Sequence, residues 1–345
     1  MRKKKIIVTG GTGYIGSHAA VELINNGYNV VIADDLSNSL AGALDGIEEI
    51  TGIRPQFEKI DLCNKKDTAS FFCNNSKAEA VVHFAALKSV AESVEKPLSY
   101  YRNNINSLIN VVEQMELKGI PNLVFSGSCT VYGQPETLPV TEDSPVKKAL
   151  SPYGSTKRIC EEIMQDTFNS DKKQQGIVLR YFNPIGNHPT ALIGELPRGK
   201  PNNLVPLITR AATDKTDELK VYGNDYDTPD GTCIRDYLSV VDLAKAHVAA
   251  VDRLIKGENE SDCEFFNIGT GKGVSVMEII NAFERATNVK VNYSIGKRRP
   301  GDIEKIWADA SLANKKLKWK ATEEIEKTLV SAWRWTQHCT EKGIL

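Results

Sequence analysis

The sequence predicts a doubly wound α/β fold, in which a parallel sheet carries helices on both faces and a smaller mixed α/β unit follows. Two observations lead to this prediction. Short β-branched runs alternate with helix-period segments through the first half of the chain, and a glycine-rich loop joins the first run to the first helix. Strands that read as continuous apolar runs are buried on both faces, which is typical of parallel sheets between two helical layers.

The predicted strands of the large sheet are five short apolar runs. The first helix shows its period through apolar residues spaced by four and three positions between Ile15 and Ile24. Each strand is followed by a helical segment, so right-handed crossovers are expected. The strands are predicted at 6–8, 30–33, 81–85, 123–126 and 177–179.

The chain changes character after Asn183. From there to about Gly231 it is rich in Pro, Gly and Asn, which favour turns, so we expect loop with short helices, including a turn at 199–203. Helical spacing returns later, in segments predicted at 242–255, at 274–286 with Ser275 as N-cap, and at 323–342.

We therefore divide the chain into two predicted domains. The first, residues 1–183, contains the parallel sheet, and the second, residues 184–345, is the smaller unit. Some segments of the second half, around 236–265, are expected to pack back on the first domain.

Composition excludes several classes of protein. A chain of 345 residues can bury a core without a disulfide or metal to stabilise it. It is 41% hydrophobic and 25% charged, which excludes wholesale disorder and a fibrous protein. The net charge of −1 argues against nucleic acid or an anionic membrane surface as the main partner.

The seven cysteines are scattered, odd in number and never spaced as Cys-x-x-Cys, and the five histidines form no His-Glu-x-x-His array. This pattern predicts reduced thiols in a cytoplasmic protein and no metal site. The basic start is followed by three apolar residues, fewer than the roughly 7–15 of a signal peptide. No stretch approaches the roughly 20 apolar residues of a membrane span, so no membrane is expected as a partner.

The glycine-rich loop at 9–16 predicts a dinucleotide site. Gly11, Gly13 and Gly16 match Gly-x-Gly-x-x-Gly, and Gly10, Gly13 and Gly16 match the variant with two residues between each pair. Glycines allow the tight turn and the close approach of backbone to a pyrophosphate, and the helix N-terminus offers free N–H groups. The alternative is a glycine-rich turn without a ligand. The strand before the loop and the helix after it favour the Rossmann-type dinucleotide site.

The acid expected on the adenosine ribose is Asp34, which ends the second predicted strand 18 residues after Gly16. This is near the expected spacing of about 20. A carboxylate there accepts hydrogen bonds from a diol and repels a 2′-phosphate, and no arginine is adjacent, so NAD is favoured over NADP. The alternative is a solvated acid at a strand end. Asp61, at the end of the next apolar stretch, is a weaker candidate contact to the adenine.

Tyr153 and Lys157 are the candidate catalytic pair. They are four residues apart in a helix that starts near Ser151 and runs toward Asp171, so they share one face. A neighbouring ammonium and a nicotinamide cation both favour the phenolate of a tyrosine that acts as a base. The spacing alone is weak evidence, because it recurs by chance at Tyr293 and Lys297, where no nucleotide loop precedes it.

Ser128 and Thr130 strengthen this interpretation. They follow the predicted strand 123–126, at the carboxyl end where α/β sites lie. Their hydroxyls are placed to hydrogen-bond the substrate hydroxyl that Tyr153 deprotonates. The alternative is that they only cap a turn.

Together these motifs resemble the extended short-chain dehydrogenase/reductase family, and within it the enzymes that invert C4 of nucleotide-linked hexoses. The resemblance covers nearly the whole chain in order. Besides the glycine loop and the set of Ser128, Tyr153 and Lys157, it is carried by Arg180-Tyr-Phe-Asn-Pro184, Pro201-Asn-Asn-Leu204, Gly223-Asn-Asp-Tyr226 and Gly231-Thr-Cys-Ile-Arg-Asp-Tyr237.

The resemblance implies interconversion of UDP-galactose and UDP-glucose with tightly held NAD, by a homodimer that associates through helices of the first domain. Tyr153 would take the proton of the sugar 4-hydroxyl while C4 gives its hydride to NAD. The 4-keto sugar, anchored through UDP, would then turn over and receive the hydride on its other face.

The resemblance also implies two sets of site residues. The cofactor site would contain Gly10, Gly13, Tyr14, Ile15, Gly16, Asp34, Leu36, Asn38, Ser39, Asp61, Leu62, Phe84, Ala85, Lys88, Asn103, Ser126, Tyr153, Lys157 and Phe182. The UDP-sugar site would contain Ser128, Tyr153, Asn183, Asn203, Leu204, Tyr222, Arg235, Arg299, Asp302 and Ile306. Guanidinium groups bind phosphate bidentately, which suits Arg235 and Arg299 to a pyrophosphate.

Two positions depart from the family pattern. Gly127 stands where a third serine is common, which removes no catalytic group. Ile306 stands where some members have a bulky tyrosine and others a small residue. We expect Ile306 to leave more room than tyrosine, so that N-acetylated UDP-hexoses are accepted to some degree.

Three other functions share parts of this pattern. A 4,6-dehydratase needs a carboxylate pair after the catalytic hydroxyl, where this chain has Cys129 and Thr130. A 4-epimerase of another UDP sugar, such as a UDP-pentose, UDP-glucuronate or an N-acetylated UDP-hexose, stays open. A non-catalytic NAD-binding protein would have no need of Tyr153 and Lys157.

Overall fold

The computed structural model describes residues 3–170, 173–196, 201, 203–214, 217–299 and 301–344. Its largest element is a seven-stranded sheet in which every neighbouring pair of strands is parallel. The strand order is β11-β6-β5-β4-β1-β2-β3. The chain order reverses between β1 and β4, as a doubly wound fold requires. The predicted fold class is therefore confirmed.

The strands, in chain order, are β1 Lys5–Thr9, β2 Asn29–Asp34, β3 Gln56–Lys59, β4 Ala78–His83, β5 Asn122–Ser126, β6 Gln175–Tyr181, β7 Asn183–Ile185, β8 Leu219–Tyr222, β9 Ile234–Arg235, β10 Tyr237–Ser239, β11 Cys263–Ile268, β12 Val274–Ser275, β13 Tyr293–Gly296 and β14 Lys305–Ile306. The helices are α1 Tyr14–Asn25, α2 Ala43–Thr51, α3 Lys65–Asn74, α4 Val90–Glu95, α5 Pro97–Lys118, α6 Pro152–Ser170, α7 Leu204–Thr213, α8 Val240–Ile255, α9 Val276–Thr287, α10 Ser311–Lys316 and α11 Ile325–Glu341.

The core lies on both faces of the large sheet. Successive side chains of a strand point to opposite faces, so Ile6 and Val8 of β1 join one buried cluster and Ile7 joins the other. The first cluster is completed by α1 and α8, and the second by α3, α5 and α6. This arrangement explains why the strand sequences are continuously apolar rather than alternating.

The predicted strands omit the two edges of the sheet. Strand β3 contains a single apolar residue, Phe57, and its burial is only partial, so it carries no apolar run. Strand β11 pairs with β6 although 81 residues lie between the end of β6 at Tyr181 and the start of β11 at Cys263. The register pairs Ile177 with Glu264 and Tyr181 with Ile268. The run predicted at 81–85 is also shifted, because β4 begins at Ala78 and ends at His83, which leaves Phe84 and Ala85 outside the strand.

The helices predicted in the second half are present with small changes of boundary. The segment predicted at 242–255 is α8, and the one predicted at 323–342 is α11. Ser275 caps α9 as predicted, and its side chain and that of Glu278 form a reciprocal capping box. Within the segment predicted as loop, the described residues form α7 and the short strands β7 and β8. Asp171 and residues 199, 200 and 202 of the predicted turn lie outside the described residues.

The second half contributes to both parts of the fold. Its α8 packs on α1 and its β11 completes the edge of the large sheet, whereas α7, α9 and α11 surround a separate apolar cluster that includes Ile208, Phe283 and Leu329. The division of the chain at residue 183 stays a prediction. In the part of the chain described here, none of the helices combines the length and the apolar character that crossing a membrane requires.

Candidate active site

A cavity of about 860 Å³ opens where the strand order reverses, beside the carboxyl ends of β1 and β4. Its walls include the glycine loop, Asp34 at the end of β2, and Tyr153 and Lys157 of α6. In open α/β sheets this edge is where ligands bind. The cavity therefore brings together the two features that the sequence predicted separately, the dinucleotide loop and the catalytic pair.

The glycine loop lies very close to neighbouring backbone, at distances that leave no room for a side chain. Gly10 has a left-handed φ of 67°, and a Cβ there would lie 2.8 Å from the backbone nitrogen of Ala85. A Cβ on Gly16 would lie 2.2 Å from the carbonyl oxygen of Gly10. Gly13 is the N-cap of α1, so the free N–H groups of the first helical turn face the cavity side of the loop. A side chain at Gly10 or Gly16 would push the loop away from the backbone atoms that it contacts.

Asp34 is held in place by three donors. Its carboxylate accepts hydrogen bonds from the backbone nitrogens of Thr12 (3.1 Å) and Leu36 (2.9 Å) and from the hydroxyl of Ser39 (3.0 Å). Leu36 adopts a left-handed φ of 61°. These contacts fix the carboxylate at the cavity wall, in the position predicted for an acid on the ribose.

The catalytic pair lies on the first two turns of α6. The ammonium of Lys157 is 5.9 Å from the ring centroid of Tyr153 and donates a hydrogen bond of 2.8 Å to the carbonyl oxygen of Ser126. Lys157 is 3% exposed, whereas Tyr153 is partly exposed. The structure therefore confirms that the two side chains share one face of the helix and reach the same cavity.

Burial sets the protonation of both groups. It raises the pKa of Tyr153 well above its usual value of 10, and a hydrogen bond with Ser128 acts in the opposite direction. Burial also lowers the pKa of Lys157 to about 8, with the nearby Cys160 and Glu161 opposing this shift. The chain by itself thus favours a phenol, and a further positive charge in the cavity would favour the phenolate.

Ser128 and Thr130 lie against the start of α6. Thr130 donates through its hydroxyl to the hydroxyl of Ser128 at 2.9 Å, and its backbone nitrogen donates to the same oxygen at 3.3 Å. A Cβ on Gly154 would be 3.4 Å from the hydroxyl oxygen of Thr130. Ser128 thus caps a short 3-10 turn, which was the alternative interpretation, and also lies beside Tyr153.

The cavity wall contains most of the residues that the resemblance implied for the cofactor. Two of that set, Leu36 and Phe182, are not part of the wall; Phe182 belongs to a buried apolar cluster. The residues of the set that line the cavity are Gly10, Gly13, Tyr14, Ile15, Gly16, Asp34, Asn38, Ser39, Asp61, Leu62, Phe84, Ala85, Lys88, Asn103, Ser126, Tyr153 and Lys157.

Apart from Ser128 and Tyr153, which are described above, the residues implied for the UDP-sugar fall in three places. Asn203, the N-cap of α7, lines the cavity, and Leu204 follows it as the first residue of the helix. Asn183 begins β7, and its backbone nitrogen donates to the carbonyl oxygen of Asp236. The remaining group lies around the short strands β8, β9 and β14 and comprises Tyr222, Arg235, Arg299, Asp302 and Ile306.

Two contacts position the side chain of Arg299 in this last group, and strand pairing places Arg235. Arg299 pairs with Asp302 at 2.7 Å and lies over the ring of Tyr222, 5.5 Å from its centroid. Arg235 pairs in register with Ile306 across β9 and β14. Ile306 is 1% exposed and packs in the cluster of Phe182. These contacts join Arg299 with Tyr222 and Asp302, and Arg235 with Ile306. The contact of either set with a substrate stays a prediction.

Sequence reasoning missed several residues of the cavity wall. Thr12 stands inside the glycine motif, so its position was a usable signal. Tyr181, whose hydroxyl is hydrogen-bonded to that of Ser126, ends β6 two residues after the predicted strand 177–179 and could have been found in the same way. Glu195 and Trp335 carry no local signal, because only the tertiary fold brings them to the cavity.

A buried ion pair supports the helix that carries the catalytic pair. Arg180 of β6 donates to Glu161 of α6 through Nη2 at 2.8 Å and through Nε at 3.2 Å. The guanidinium also lies over the rings of Tyr132 and Phe265. The pair links α6 to the sheet one turn beyond Lys157. Within the described ranges, no group of three or more His, Cys, Asp or Glu side chains is arranged to hold a metal ion.

Comparisons with known proteins agree with this geometry. The model of the NAD dependent epimerase/dehydratase family matches residues 6–269. A UDP-glucose 4-epimerase of Bacillus subtilis is 47% identical over 330 residues, which are 96% of each chain.

Two solved structures are also similar over nearly their whole length. The UDP-glucose-4-epimerase of Stenotrophomonas maltophila, with bound NAD and formylated UDP-arabinopyranose, is 43% identical with a TM-score of 0.94, and the match covers 98% of this chain and 99% of that one. The UDP-glucose 4-epimerase of Bifidobacterium longum, in complex with NAD+ and UDP, is 42% identical with a TM-score of 0.92, and the match covers 97% and 98% of the two chains. On its sequence, its fold and the geometry of its cavity, the chain belongs to the NAD-dependent epimerase/dehydratase family.

Proposed function

We propose that this protein interconverts UDP-galactose and UDP-glucose by transient oxidation at C4 of the sugar. The observation that carries the proposal is the meeting of the glycine loop, Asp34 and the pair of Tyr153 and Lys157 in one cavity. One side chain that can move a proton, Tyr153, and one cofactor site suit a reaction that removes and returns the same hydride. The similar proteins of known structure and name support the same reaction.

The residues of the cavity fit a dinucleotide. Glycines at positions 10 and 16 leave the loop without the Cβ atoms that would block it, and Asp34 offers a carboxylate for a ribose diol. Bound NAD supplies the acceptor for the hydride of C4 and, once reduced, its donor. Lys88 and Asn103 are also part of the cavity wall.

Tyr153 holds and moves the proton in this mechanism. Its phenolate oxygen takes the proton of the 4-hydroxyl while the hydride leaves C4, and the phenol gives the proton back to the 4-oxygen when the hydride returns to the opposite face. Ser128, hydrogen-bonded to Tyr153, orients the hydroxyl that reacts. Lys157 favours the phenolate through its positive charge, so it acts on the proton without touching the sugar carbon.

Rotation of the keto sugar requires that binding energy be concentrated on the UDP group. Arg235 and Arg299 suit its phosphates because a guanidinium binds phosphate with two parallel hydrogen bonds. Tyr222 and Asp302 hold Arg299 in place, and Asn203, the N-cap of α7, lies on the cavity wall. A sugar held only weakly can present either face to the same hydride donor.

Elimination of water is disfavoured by the same site. The residue after Ser128 is Cys129, and burial raises its pKa to about 12. A neutral thiol at this place supplies neither the acid nor the base of a 4,6-dehydratase. A 4-epimerase of another UDP sugar differs only in the residues around the hexose, among which Ile306 is the candidate for specificity.

The test is the conversion itself. The purified protein is mixed with UDP-galactose, the nucleotide sugars are separated, and absorbance in the NADH band is followed during the reaction. We expect UDP-glucose to form with a transient rise of that band. Absence of UDP-glucose would contradict the proposal, and faster turnover of a UDP-pentose or of UDP-glucuronate would favour the alternative.

We further propose a homodimer in the cytoplasm. Val90, Val94 and Leu98 are spaced by four residues along α4 and the start of α5, and are 49%, 63% and 74% exposed. An exposed apolar stripe of this kind is typical of a protein interface. The seven cysteines are all free, which suits a reducing compartment. Sedimentation of the parent and of Leu98→Glu tests the dimer, which the variant should weaken.

A further inference from the structure

A segment of five residues, 192–196, forms one wall of the cofactor cavity. It lies between β7 and α7, and we call it the strap. It contains no helix or strand, so its position depends on contacts with other parts of the chain. Three sets of contacts hold it, and each reaches a different element.

The first contact is with α2, on the side of the cavity where Asp34 lies. Ile193 is 2% exposed and belongs to the same buried cluster as Leu44 and Ile47. A Cβ on Gly46 would come within 2.4 Å of the carbonyl oxygen of Leu192. The backbone of the strap therefore rests directly on the helix at a glycine.

The second contact is with the C-terminal helix α11. The indole nitrogen of Trp335 donates a hydrogen bond of 2.8 Å to the carbonyl oxygen of Glu195. A Cβ on Gly194 would lie 2.5 Å from the indole ring, so the ring packs directly against the strap backbone. The backbone nitrogen of Glu195 donates to the side-chain oxygen of Asn187 at 2.7 Å. Trp335 thus contacts the strap in two ways, through the packing of its ring and through a hydrogen bond.

The third contact crosses to the loop after β4. The carboxylate of Glu195 accepts from the ammonium of Lys88 at 3.1 Å and from the side-chain nitrogen of Asn203 at 2.7 Å. The Glu195 side chain is 8% exposed, so this ion pair is largely shielded from solvent on the glutamate side. The strap is therefore connected from α2 to the opposite border of the cavity.

We propose that Trp335 is a positioning residue that fastens the strap over the dinucleotide, and so slows release of the cofactor. The inference rests on the proposed function, in which the cofactor is reduced and reoxidised within one turnover. A cofactor that left between the two hydride transfers would leave the sugar oxidised. The chain therefore needs a contact that keeps the dinucleotide bound for longer than one turnover, and the strap supplies it.

The experiment compares the rate of NAD loss from the holoenzyme with that from Trp335→Phe. The phenylalanine ring keeps most of the packing on Gly194 and removes the donor to Glu195. We expect NAD to be lost about fivefold faster on dilution, the effect of one net hydrogen bond. Activity should fall after dilution and return when NAD is added, while the parent needs no added NAD.

The matched control is Trp333→Phe on the same helix. Trp333 packs against Phe283 in the cluster of the second half and is not part of the cavity wall. Its variant should lose NAD at the parental rate. A second variant is Gly194→Ala, whose Cβ would lie 2.5 Å from the indole ring and 2.6 Å from the side-chain oxygen of Asn187, so it displaces the strap without removing a polar group. It should also lose NAD faster than the parent.

Several results would overturn the inference. These are parental rates of NAD loss in both Trp335→Phe and Gly194→Ala, equally fast loss in Trp333→Phe, or a loss of activity that added NAD does not restore. Release of NAD is followed by its own absorbance, without any sugar. If the parent fails to convert UDP-galactose, the proposed function is wrong. The rates of NAD release from the parent and the variants still decide the role of Trp335 in that case.

Discussion

Lys157 points its ammonium at the carbonyl oxygen of Ser126, the last residue of β5, at 2.8 Å. The lysine is thus held between the sheet and its own helix, close to the ring of Phe125 and to Tyr153. Its charge is costly in this position, because burial lowers the pKa of Lys157 to about 8. A charge kept at such a cost is typical of a functional site.

The Lys157→Met variant should lose about 10²-fold in turnover, because the phenolate of Tyr153 loses a neighbouring positive charge. The unbranched methionine side chain keeps most of the length of the lysine and lacks its charge. The measurement is the rate of UDP-glucose formation from UDP-galactose with saturating NAD. A turnover equal to that of the parent would show that the ammonium does not act on the proton.

The same variant should change how stability depends on pH. The pKa of Lys157 falls from 10.5 to about 8 on folding, so the unfolded chain binds more protons between these values. The free energy of unfolding therefore rises with pH across this window, and the cost of the buried charge is fully present below pH 8.

Without that cost, Lys157→Met should be more stable than the parent below pH 8. The shift in pKa corresponds to about 3 kcal/mol, and the lost hydrogen bond to Ser126 offsets about 1 kcal/mol, which leaves about 2 kcal/mol. The difference should shrink toward pH 10.5. Urea unfolding without bound cofactor measures it, and a difference that is independent of pH would contradict the assignment.

The Tyr153→Phe variant should lose about 10³-fold in turnover and still retain NAD, because it lacks only the oxygen that moves the proton. The control is Tyr293→Phe, which alters the second tyrosine that precedes a lysine by four residues. Tyr293 lies on β13, is 39% exposed, and is not part of the cavity wall. Turnover is measured with UDP-galactose, and NAD by its absorbance. Equal losses in the two variants would remove the special role of Tyr153.

The Glu161→Gln variant should lower the free energy of unfolding by about 3 kcal/mol, since it leaves the buried guanidinium of Arg180 without its carboxylate. The control on the same helix is Glu162→Gln, which breaks the exposed pair with Arg158 and should cost less than about 0.5 kcal/mol. Denaturant unfolding measures both. Similar small effects would mean that the Arg180 pair does not hold α6 on the sheet.

The Ile306→Tyr variant should discriminate against N-acetylated UDP-hexoses. Ile306 is 1% exposed and packs near Phe182, so a tyrosine there needs more space than the cluster offers and must extend toward its border. We expect turnover of UDP-N-acetylglucosamine to fall about tenfold relative to that of UDP-galactose. Comparable relative turnover in the parent and the variant would remove Ile306 as a determinant of specificity.

Much of the site was predictable because its signals are local. The glycine loop follows a strand and begins a helix within a few residues, and Tyr153 and Lys157 share a helical face by their spacing alone. The central strands were predictable for a similar reason, since burial on both faces leaves a continuous apolar run. The edge strand β3 has no such run, because it is partly exposed.

Other parts of the site depend on residues that are distant along the chain. Trp335 and Glu195 are 140 residues apart, and Lys88 and Glu195 are 107 apart. No periodicity or motif links such residues, and each of these side chains would be equally acceptable on a protein surface. These pairs form because α11 and the loop after β4 both contact the strap, and only the folded chain brings the three together.

Residue order along the chain thus decided the class of fold, the dinucleotide loop and the catalytic pair, because helix and strand geometry relate neighbours in sequence directly to neighbours in space. The closure of the cavity, the anchoring of Lys157 on Ser126 and the pairing of Arg180 with Glu161 were decided by packing between elements. Such contacts depend on distances that only the assembled sheet and helices define.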